Sequence, residues 1–175
     1  AIALDDGRSS GKATLLANIC SFTQGTTAAS FRTTTHPFIT FDGTAFHAIW
    51  AQRQGSCGAT PTGYSRIVMS NLSFSGGTPR WSNPAPVDSA SPASRRGHEF
   101  LPAIAAAGNR ILVTWLDTRN DVRVGEPFPD PIPDPHVNDY VFVGKTKARR
   151  RSADIFAAEA FAGQTPTFGA AKQVS

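Results

Sequence analysis

The residues with the clearest chemical potential follow a short apolar run in the second half of the chain. In the stretch ILVTWLDTRND, residues 111–121, Asp117 and Arg119 come just after Trp115. A carboxylate and a guanidinium two positions apart on an extended strand lie on the same side of that strand. They predict one of two arrangements: a pair at the rim of a site that contacts a ligand, or a local ion pair in which Asp117 caps the following turn.

The densest basic run is KTKARRR, residues 145–151, which ends in Arg149, Arg150 and Arg151. Such a run suits contact with a protein or glycan partner, and otherwise forms a solvated loop. The chain has a net charge of +4, from 17 basic and 13 acidic residues. A nucleic-acid-binding protein would concentrate its basic residues on one face or helix. The charge distribution therefore does not predict nucleic acid as a partner.

A proline-rich segment, PFPDPIPDPHVND at residues 127–139, contains Asp130, Asp134 and Asp139. Oxygen-rich loops bind calcium, so these three aspartates are weak candidates for a metal site. The segment lacks EF-hand spacing, and its prolines favour an extended conformation in which carboxylates point apart. We expect no cofactor, with calcium as the alternative, and a solvated loop that suits partner contact.

The two cysteines, Cys20 and Cys57, are either buried thiols or a disulfide. Neither belongs to a CxxC pattern or has a histidine at zinc-binding spacing. Because the chain is poor in Lys and Glu and rich in Thr, Ser and Gly, we favour the disulfide and an extracellular or periplasmic location. No apolar run approaches the roughly 18 residues that a membrane-spanning helix needs.

Strands and turns must position these residues. The 175 residues include 15 Gly and 13 Pro, and only 17% are charged. Long amphipathic helices need more Glu, Lys, Leu and Met than this chain has. The composition therefore predicts an all-β fold of short antiparallel strands joined by many turns.

Two hairpins are predicted from matching segments. In HPFITFDGTAFHAIW and LPAIAAAGNRILVTW a proline precedes a tryptophan by 13 positions, and a glycine lies between them. Gly43 precedes Trp50 in the first segment, and Gly108 precedes Trp115 in the second. Each segment predicts two strands around a glycine turn, with the second strand ending at the tryptophan.

The sequence after each hairpin also matches. The equivalent positions are Ile67 and Ile155, Trp81 and Phe168, and Val87 and Val174. The positions of Asp117 and Arg119 are taken by Gln52 and Gln54 in the first unit, which argues against a salt bridge required in every unit. Each unit predicts four strands, and repeated four-stranded antiparallel units are typical of β-propeller blades.

The predicted organisation is about two blades and a partial one. Residues 1–30 form the end of a preceding blade or an N-terminal extension, residues 31–89 form blade A, and residues 90–175 form blade B with a long insertion at about 120–152. Propellers usually have about four to eight blades. We therefore expect a fragment of a larger propeller, with the remaining blades supplied by the same or another chain.

The segment FSGGTPRW, residues 74–81, resembles the Asp-box, or BNR repeat, of sialidase-like propellers, whose pattern is Ser-x-Asp-x-Gly-x-Thr-Trp. Gly77, Thr78 and Trp81 match that pattern, but Ser or Gly stands at the Asp position. The second copy, AFAGQTPTF at residues 160–168, keeps Gly163 and Phe168 and has no Asp. Both boxes are degenerate, and the resemblance implies a sialidase-like propeller.

In that family, catalysis uses an arginine triad, a tyrosine nucleophile paired with a glutamate, and an aspartate as acid and base. No residue of this chain occupies a matching catalytic position, so the resemblance implies a non-catalytic module for protein or glycan binding and assembly. Two alternatives stay open. The chain could contribute to a glycoside hydrolase of exo-sialidase type that other blades complete, or it could be a structural subunit of a larger complex.

Overall fold

The fold was analysed in a computed structural model, which describes residues 15–19, 35–53, 64–75, 77–90, 97–120, 141–143, 146–148 and 153–175. This part of the chain contains β-strands and no helix, so the predicted all-β class is confirmed. Accordingly, no helix within these ranges is long and apolar enough to cross a bilayer.

The first sheet is a five-stranded antiparallel meander. It consists of β1 (Phe38–Phe41), β2 (Phe46–Arg53), β3 (Ser65–Ser75), β4 (Thr78–Trp81) and β5 (Ala85–Pro86). The order is β1-β2-β3-β4, and β5 pairs with the part of β3 that β4 leaves free. The prediction of four strands was wrong here, because the Asp-box-like segment forms a strand of its own, β4, after a turn at Gly77 with φ of 77°.

The second sheet has four antiparallel strands. They are β6 (Glu99–Ala107), β7 (Arg110–Asp117), β10 (Asp154–Phe161) and β11 (Lys172–Gln173), in the order β6-β7-β10-β11. Within the insertion between β7 and β10, β8 (Val141–Val143) and β9 (Thr146–Ala148) pair as a separate two-stranded sheet.

Both predicted hairpins are present. Gly43 and Gly108 form their turns with φ of 92° and 57°, a region that glycine adopts without strain. The expectation that the second strand ends at the tryptophan was wrong. Strand β2 continues to Arg53 and β7 to Asp117, because the ladders with β3 and β10 extend that far.

The two sheets have equivalent registers. Phe38 pairs with Ile49 in the first hairpin, and Ala103 pairs with Thr114 in the second, so both partners are displaced by 65 positions. The pairing of β1 with β2 therefore has the same register as the pairing of β6 with β7. The tight glycine turn of each hairpin sets this register.

The outer strands of the two sheets also pair at matching positions. The Val87 amide donates to the Ile67 carbonyl at 3.0 Å, and the Val174 amide donates to the Ile155 carbonyl at 2.8 Å. These bonds join the positions that the sequence comparison made equivalent. The paired positions of β3 with β5, and of β10 with β11, therefore correspond one to one.

The core lies between the two sheets. Its fully or nearly buried members share one side of each sheet: Ile49, Ala51, Ile67, Met69 and Val87 from the first, and Ile111, Val113, Trp115, Phe156, Ala158, Ala160 and Phe168 from the second. Strand β6, the first strand of the second sheet, packs against β1, β2 and β3 of the first sheet.

Opposite faces of the two equivalent sheets meet in this core. Trp115 points into it, whereas Trp50, at the equivalent position of the first sheet, lies on the far side with Ala48 and Val68. On that far side the three residues pack against Leu16 and Ala17 of the N-terminal segment. The two sheets therefore meet through opposite faces, as judged from the matched positions of Trp50 and Trp115.

Candidate functional site

Asp117 and Arg119 form a local ion pair at the end of β7. Asp117 Oδ2 accepts hydrogen bonds from the Trp115 indole Nε1 at 3.0 Å and from Arg119 Nε at 2.9 Å. Its Oδ1 accepts the Arg119 backbone N–H at 2.8 Å and so caps the turn after the strand. Of the two arrangements predicted for this pair, the geometry favours the local ion pair with a capped turn.

Arg119 also joins the two sheets. Its Nη2 lies 2.7 Å from Oδ2 of Asp88, which follows the last strand of the first sheet, and its guanidinium carbon lies 4.2 Å from the centre of the Phe156 ring. Asp88 Oδ1 accepts the amides of Ala90 at 2.9 Å and Ala171 at 3.3 Å. Asp88 therefore holds backbone from both sheets as well as the Arg119 side chain.

Glu99 is the third carboxylate of this cluster. It pairs with Asp117 across the β6–β7 ladder and is 1% exposed. Its Oε2 accepts the Ile67 amide of the first sheet at 2.8 Å. Its Oε1 has no hydrogen-bond partner and lies 3.8 Å from Arg66 Nε and 3.7 Å from Arg119 Nη2. One oxygen is thus bonded across the sheet interface, and the other is left between two guanidinium groups.

Burial raises the pKa of Glu99 to about 7, because it penalises the charged form more than its neighbours stabilise it. The Ile67 amide and Arg66 oppose the rise, whereas the charges of Asp117 and Asp88 add to it. At Asp88, burial would also raise the pKa, but hydrogen bonds from the Ala90 amide and Arg119 outweigh it and hold the pKa below its ordinary value.

Burial would lower the pKa of Arg119, but Asp117 and Asp88 outweigh it and keep the guanidinium charged. Two arginines, Arg66 and Arg119, then face the two aspartates Asp88 and Asp117 and a glutamate that accepts a proton near neutrality. The cluster is electrically balanced when Glu99 is protonated, which explains how these groups are accommodated between two sheets.

Arg66 is held by the same interface. Its Nη1 donates to the Gly97 carbonyl at 2.7 Å and to the Ser65 carbonyl at 2.8 Å. Gly97 has φ of 80°, and a Cβ at this position would lie 2.6 to 2.8 Å from atoms of Thr118. The entry into β6 thus requires glycine, and this close approach brings Glu99 and Arg119 onto the same interface.

A carboxylic acid with a pKa near 7 is the kind of group that enzymes use as a general acid. Glu99 and Asp117 are each 1% exposed, so a substrate cannot reach either of them. Their hydrogen bonds go to the backbone, the indole and the arginine of the same interface. The arrangement stabilises the contact between the two sheets.

The first sheet contains a neutral counterpart of the Asp117 contact. Trp50 Nε1 donates to Gln52 Oε1 at 2.9 Å, just as Trp115 Nε1 donates to Asp117. In both sheets the residue two positions after the tryptophan accepts a hydrogen bond from the buried indole N–H. Either a carboxylate or an amide oxygen can serve as this acceptor. Asp117 also accepts hydrogen bonds from the backbone and the guanidinium of Arg119.

A second polar network ties the first hairpin to the second sheet. Asp42 Oδ2 accepts the Gly163 amide at 2.7 Å and lies 2.9 Å from Nε2 of the fully buried His47. His47 Nδ1 lies 2.8 Å from Asn71 Oδ1. Burial would raise the pKa of Asp42, but the Ala45 amide, His47 and the other donors outweigh it and leave the pKa well below its ordinary value.

The remaining candidates from the sequence lie outside the described residues. They are the basic residues Arg149, Arg150 and Arg151, the aspartates Asp130, Asp134 and Asp139, and the cysteines Cys20 and Cys57. Within the described ranges no group of three His, Cys, Asp or Glu side chains is placed to hold a metal ion.

Sequence reasoning missed Glu99 and Asp88 as members of one cluster with Asp117. The only signal for Asp88 is its place after Val87 at the end of the first unit, where a short closing strand was predicted. Glu99 gives no local signal, because its burial depends on the faces that the two sheets present to each other.

Comparison with known proteins provides no relative: no family model, no curated protein and no solved structure matches this chain.

Proposed function

We propose that this chain is a non-catalytic, sialidase-like β-propeller module of the extracellular space or periplasm, and that it binds a protein or a glycan. The observation that carries the proposal is the stacking of two antiparallel meanders with equivalent register through opposite faces. Adjacent blades of a propeller require this geometry, since each blade is covered by its neighbour on either side.

The polar chemistry supports a role without catalysis. The acidic side chains nearest to one another, Glu99, Asp117 and Asp88, are buried and bonded across the sheet interface. The Tyr64 ring packs edge-on against His98 at 5.2 Å and lies 5.5 Å from the guanidinium carbon of Arg66.

The long insertion between β7 and β10 is the proposed binding element. It contains the β8–β9 hairpin and the run that ends in Arg149, Arg150 and Arg151. Long loops on a rigid β-scaffold commonly carry binding residues, and arginine suits the carboxylates and sulfates of acidic glycans. The first choice of ligand is therefore an acidic glycan or an acidic protein surface.

An array of sialylated, sulfated and neutral glycans, probed with the full chain, tests this proposal. Arg149→Ser with Arg150→Ser should weaken binding at least about tenfold, the loss expected for one charge-assisted hydrogen bond. Arg80→Ser with Lys172→Ser is the matched control, because it removes two exposed basic residues from the sheets and should leave binding unchanged.

Two results would contradict the proposal. The absence of binding to every glycan and to acidic proteins by a folded chain would remove the binding function. Turnover of a fluorogenic sialoside that requires residues of this chain would favour the hydrolase alternative instead.

A further inference from the structure

Two polar networks join the first sheet to the second at opposite ends of their interface. One surrounds Glu99, where β6 begins and β7 ends, and the other surrounds Asp42 at the turn of the first hairpin. In each network a carboxylate of one sheet accepts a backbone amide of the other. Glu99 accepts the Ile67 amide at 2.8 Å, and Asp42 accepts the Gly163 amide at 2.7 Å.

Glu99 has one oxygen without a hydrogen-bond partner, whereas both oxygens of Asp42 are bonded. Because Oε2 of Glu99 accepts the Ile67 amide, Oε1 carries the proton in the neutral form. Oε1 lies 3.8 Å from Arg66 Nε and 3.7 Å from Arg119 Nη2, and both distances are too long for a hydrogen bond. An ionised oxygen at this position lacks a donor, so the burial of its charge is costly.

Both arginines near Glu99 are engaged in other bonds while the interface is closed. Arg119 is bonded to Asp117 and Asp88. Arg66 donates to two backbone carbonyls. Either guanidinium must give up one of these bonds to move onto Oε1, whereas water can solvate an ionised Glu99 if the interface opens.

The charges around Glu99 also oppose its ionisation. The charged groups that face it come from β3, from β7 and the turn after it, and from the end of the first sheet: Arg66, Asp117, Arg119 and Asp88. Strand β1 has no titratable side chain, and β2 carries His47, which lies in the network at the other end, and Arg53. His98, which precedes Glu99, bonds to the start of β3. Ionisation of Glu99 therefore places three carboxylates against two guanidinium groups.

We propose that Glu99 is a proton-controlled latch between the two sheets, whose neutral form keeps this end of the interface closed and whose ionisation favours its opening. Opening separates Glu99 from Ile67, and Asp88 from Ala171 and Arg119. Water then reaches the carboxylate. Local openings of this kind require less free energy than global unfolding.

The pKa of Glu99 places the latch near neutral pH. Burial raises this pKa from 4.5 to about 7, and in the open state the hydrated carboxyl group regains its ordinary pKa of 4.5. The closed state therefore holds the proton more tightly, and it is favoured most below pH 4.5 and progressively less as the pH rises to about 7. The equilibrium constant for opening should rise about 70-fold from pH 5 to pH 8.

The latch lies beside the base of the insertion. Asn120, the residue after Arg119, donates to Asp154 at 2.9 Å and to Gln173 at 3.0 Å. These bonds lie within the second sheet, so they persist when the two sheets separate at this end. Opening therefore changes the contact of the second sheet with the first and leaves the base of the insertion intact.

Hydrogen exchange of the full chain, measured by NMR for individual amides and corrected for the intrinsic effect of pH, tests the proposal. The probes are the Ile67 and Ala171 amides, which the latch holds across the interface. Their protection should fall about 70-fold from pH 5 to pH 8 and should not change in dilute urea. Amides of β7, an inner strand of the second sheet, report global unfolding, so their exchange should accelerate in dilute urea.

A matched pair of variants assigns the effect to Glu99. Glu99→Gln should keep the Ile67 and Ala171 amides at pH 8 as protected as they are in the wild type at pH 5, because glutamine does not titrate. Glu159→Gln is the control, since Glu159 is an exposed residue of the same sheet that pairs with Arg110. It should reproduce the pH dependence of the wild type.

Two outcomes would overturn the proposal. If the Ile67 and Ala171 amides have the same protection and the same urea dependence as the β7 amides at pH 8, the interface opens only by global unfolding. If their pH dependence persists in Glu99→Gln, another group controls the opening. The wild-type measurement stands without the variants, so the proposal remains testable even if Glu99→Gln fails to fold.

Discussion

Replacing Glu99 with glutamine should change how the stability of the protein depends on pH. In the wild type, burial between the sheets raises the pKa of Glu99 from 4.5 to about 7, so the folded state holds its proton more tightly than the unfolded chain does. For a carboxyl group whose pKa is raised on folding, stability is unaffected below the unfolded value and falls as the pH rises towards the folded value. The expected loss therefore lies between about pH 4.5 and pH 7 and stays constant above that range.

The expected loss of stability follows from the size of the pKa change of Glu99. Each pKa unit corresponds to about 1.4 kcal/mol, so a rise from 4.5 to about 7 corresponds to a loss of about 3 kcal/mol of unfolding free energy. Glutamine does not titrate, and its side-chain oxygen can still accept the Ile67 amide. The Glu99→Gln variant should match the wild type within about 1 kcal/mol near pH 4.5 and exceed it by up to about 3 kcal/mol near pH 8.

Urea denaturation between pH 4.5 and pH 8 would measure this. The difference in unfolding free energy between variant and wild type is the informative quantity, because every other titratable group is present in both proteins. Glu159→Gln is the control: Glu159 is exposed in an ion pair with Arg110, and its loss should change stability by less than about 1 kcal/mol at every pH. A Glu99 difference that does not vary with pH would refute the account of the buried cluster.

The remaining predictions also concern the sheet interface. Gly97→Ala should lower the free energy of unfolding by about 3 kcal/mol or more, because a Cβ there would lie 2.7 Å from the Thr118 backbone and φ is 80°. Gly108→Ala, with φ of 57° and open space around the Cβ, should lower it by about 1 to 2 kcal/mol. Equal losses of stability in urea denaturation would contradict the close approach at Gly97. Asp117→Ala should cost about 2 to 4 kcal/mol, because it removes the acceptor of a buried indole and one of the two carboxylates that pair with Arg119, whereas Asp88 still pairs with that arginine. Gln52→Ala, which removes only an indole's acceptor, should cost about 1 kcal/mol. Thermal unfolding that ranks the two variants in the opposite order would contradict this assignment. The pKa of Asp42 lies below its ordinary value of 3.8, so the stability that this carboxylate contributes is complete above pH 3.8 and is lost as the pH falls below it. Asp42→Asn should therefore make unfolding less sensitive to acid below about pH 4. An unchanged acid transition would show that this carboxylate does not stabilise the hairpin.

Much of the strand arrangement was predictable, because its signals are local. The glycines at 43 and 108 lie at turns that need positive φ, and the short apolar runs of β7 and β10 are visible in the sequence. The positions that the sequence comparison matched make the same backbone hydrogen bond in each sheet: Val87 donates to Ile67, and Val174 donates to Ile155. Spacing between tight turns fixes register, and register can be read from sequence.

The faces that meet were not predictable, because they depend on long-range packing. The sequence gives no reason why Trp115 enters the core while Trp50 lies on the far side of its own sheet. The burial of Glu99, and its contact with Ile67 across the interface, follows from that choice alone. The extra strand β4 was missed because the Asp-box-like segment FSGGTPRW was interpreted as a turn, whereas its residues pair with β3.

The central claim is that the two sheets are consecutive members of a stack of like sheets. A crystal or cryo-electron-microscopy structure of the assembled protein tests it most directly. We predict that a further four-stranded antiparallel sheet covers Leu112, Ile155 and Val174 with a face equivalent to that of Trp115, and that successive sheets are arranged around a common axis. An assembled protein that leaves this face bare, or covers it with anything other than a like sheet, would contradict the account.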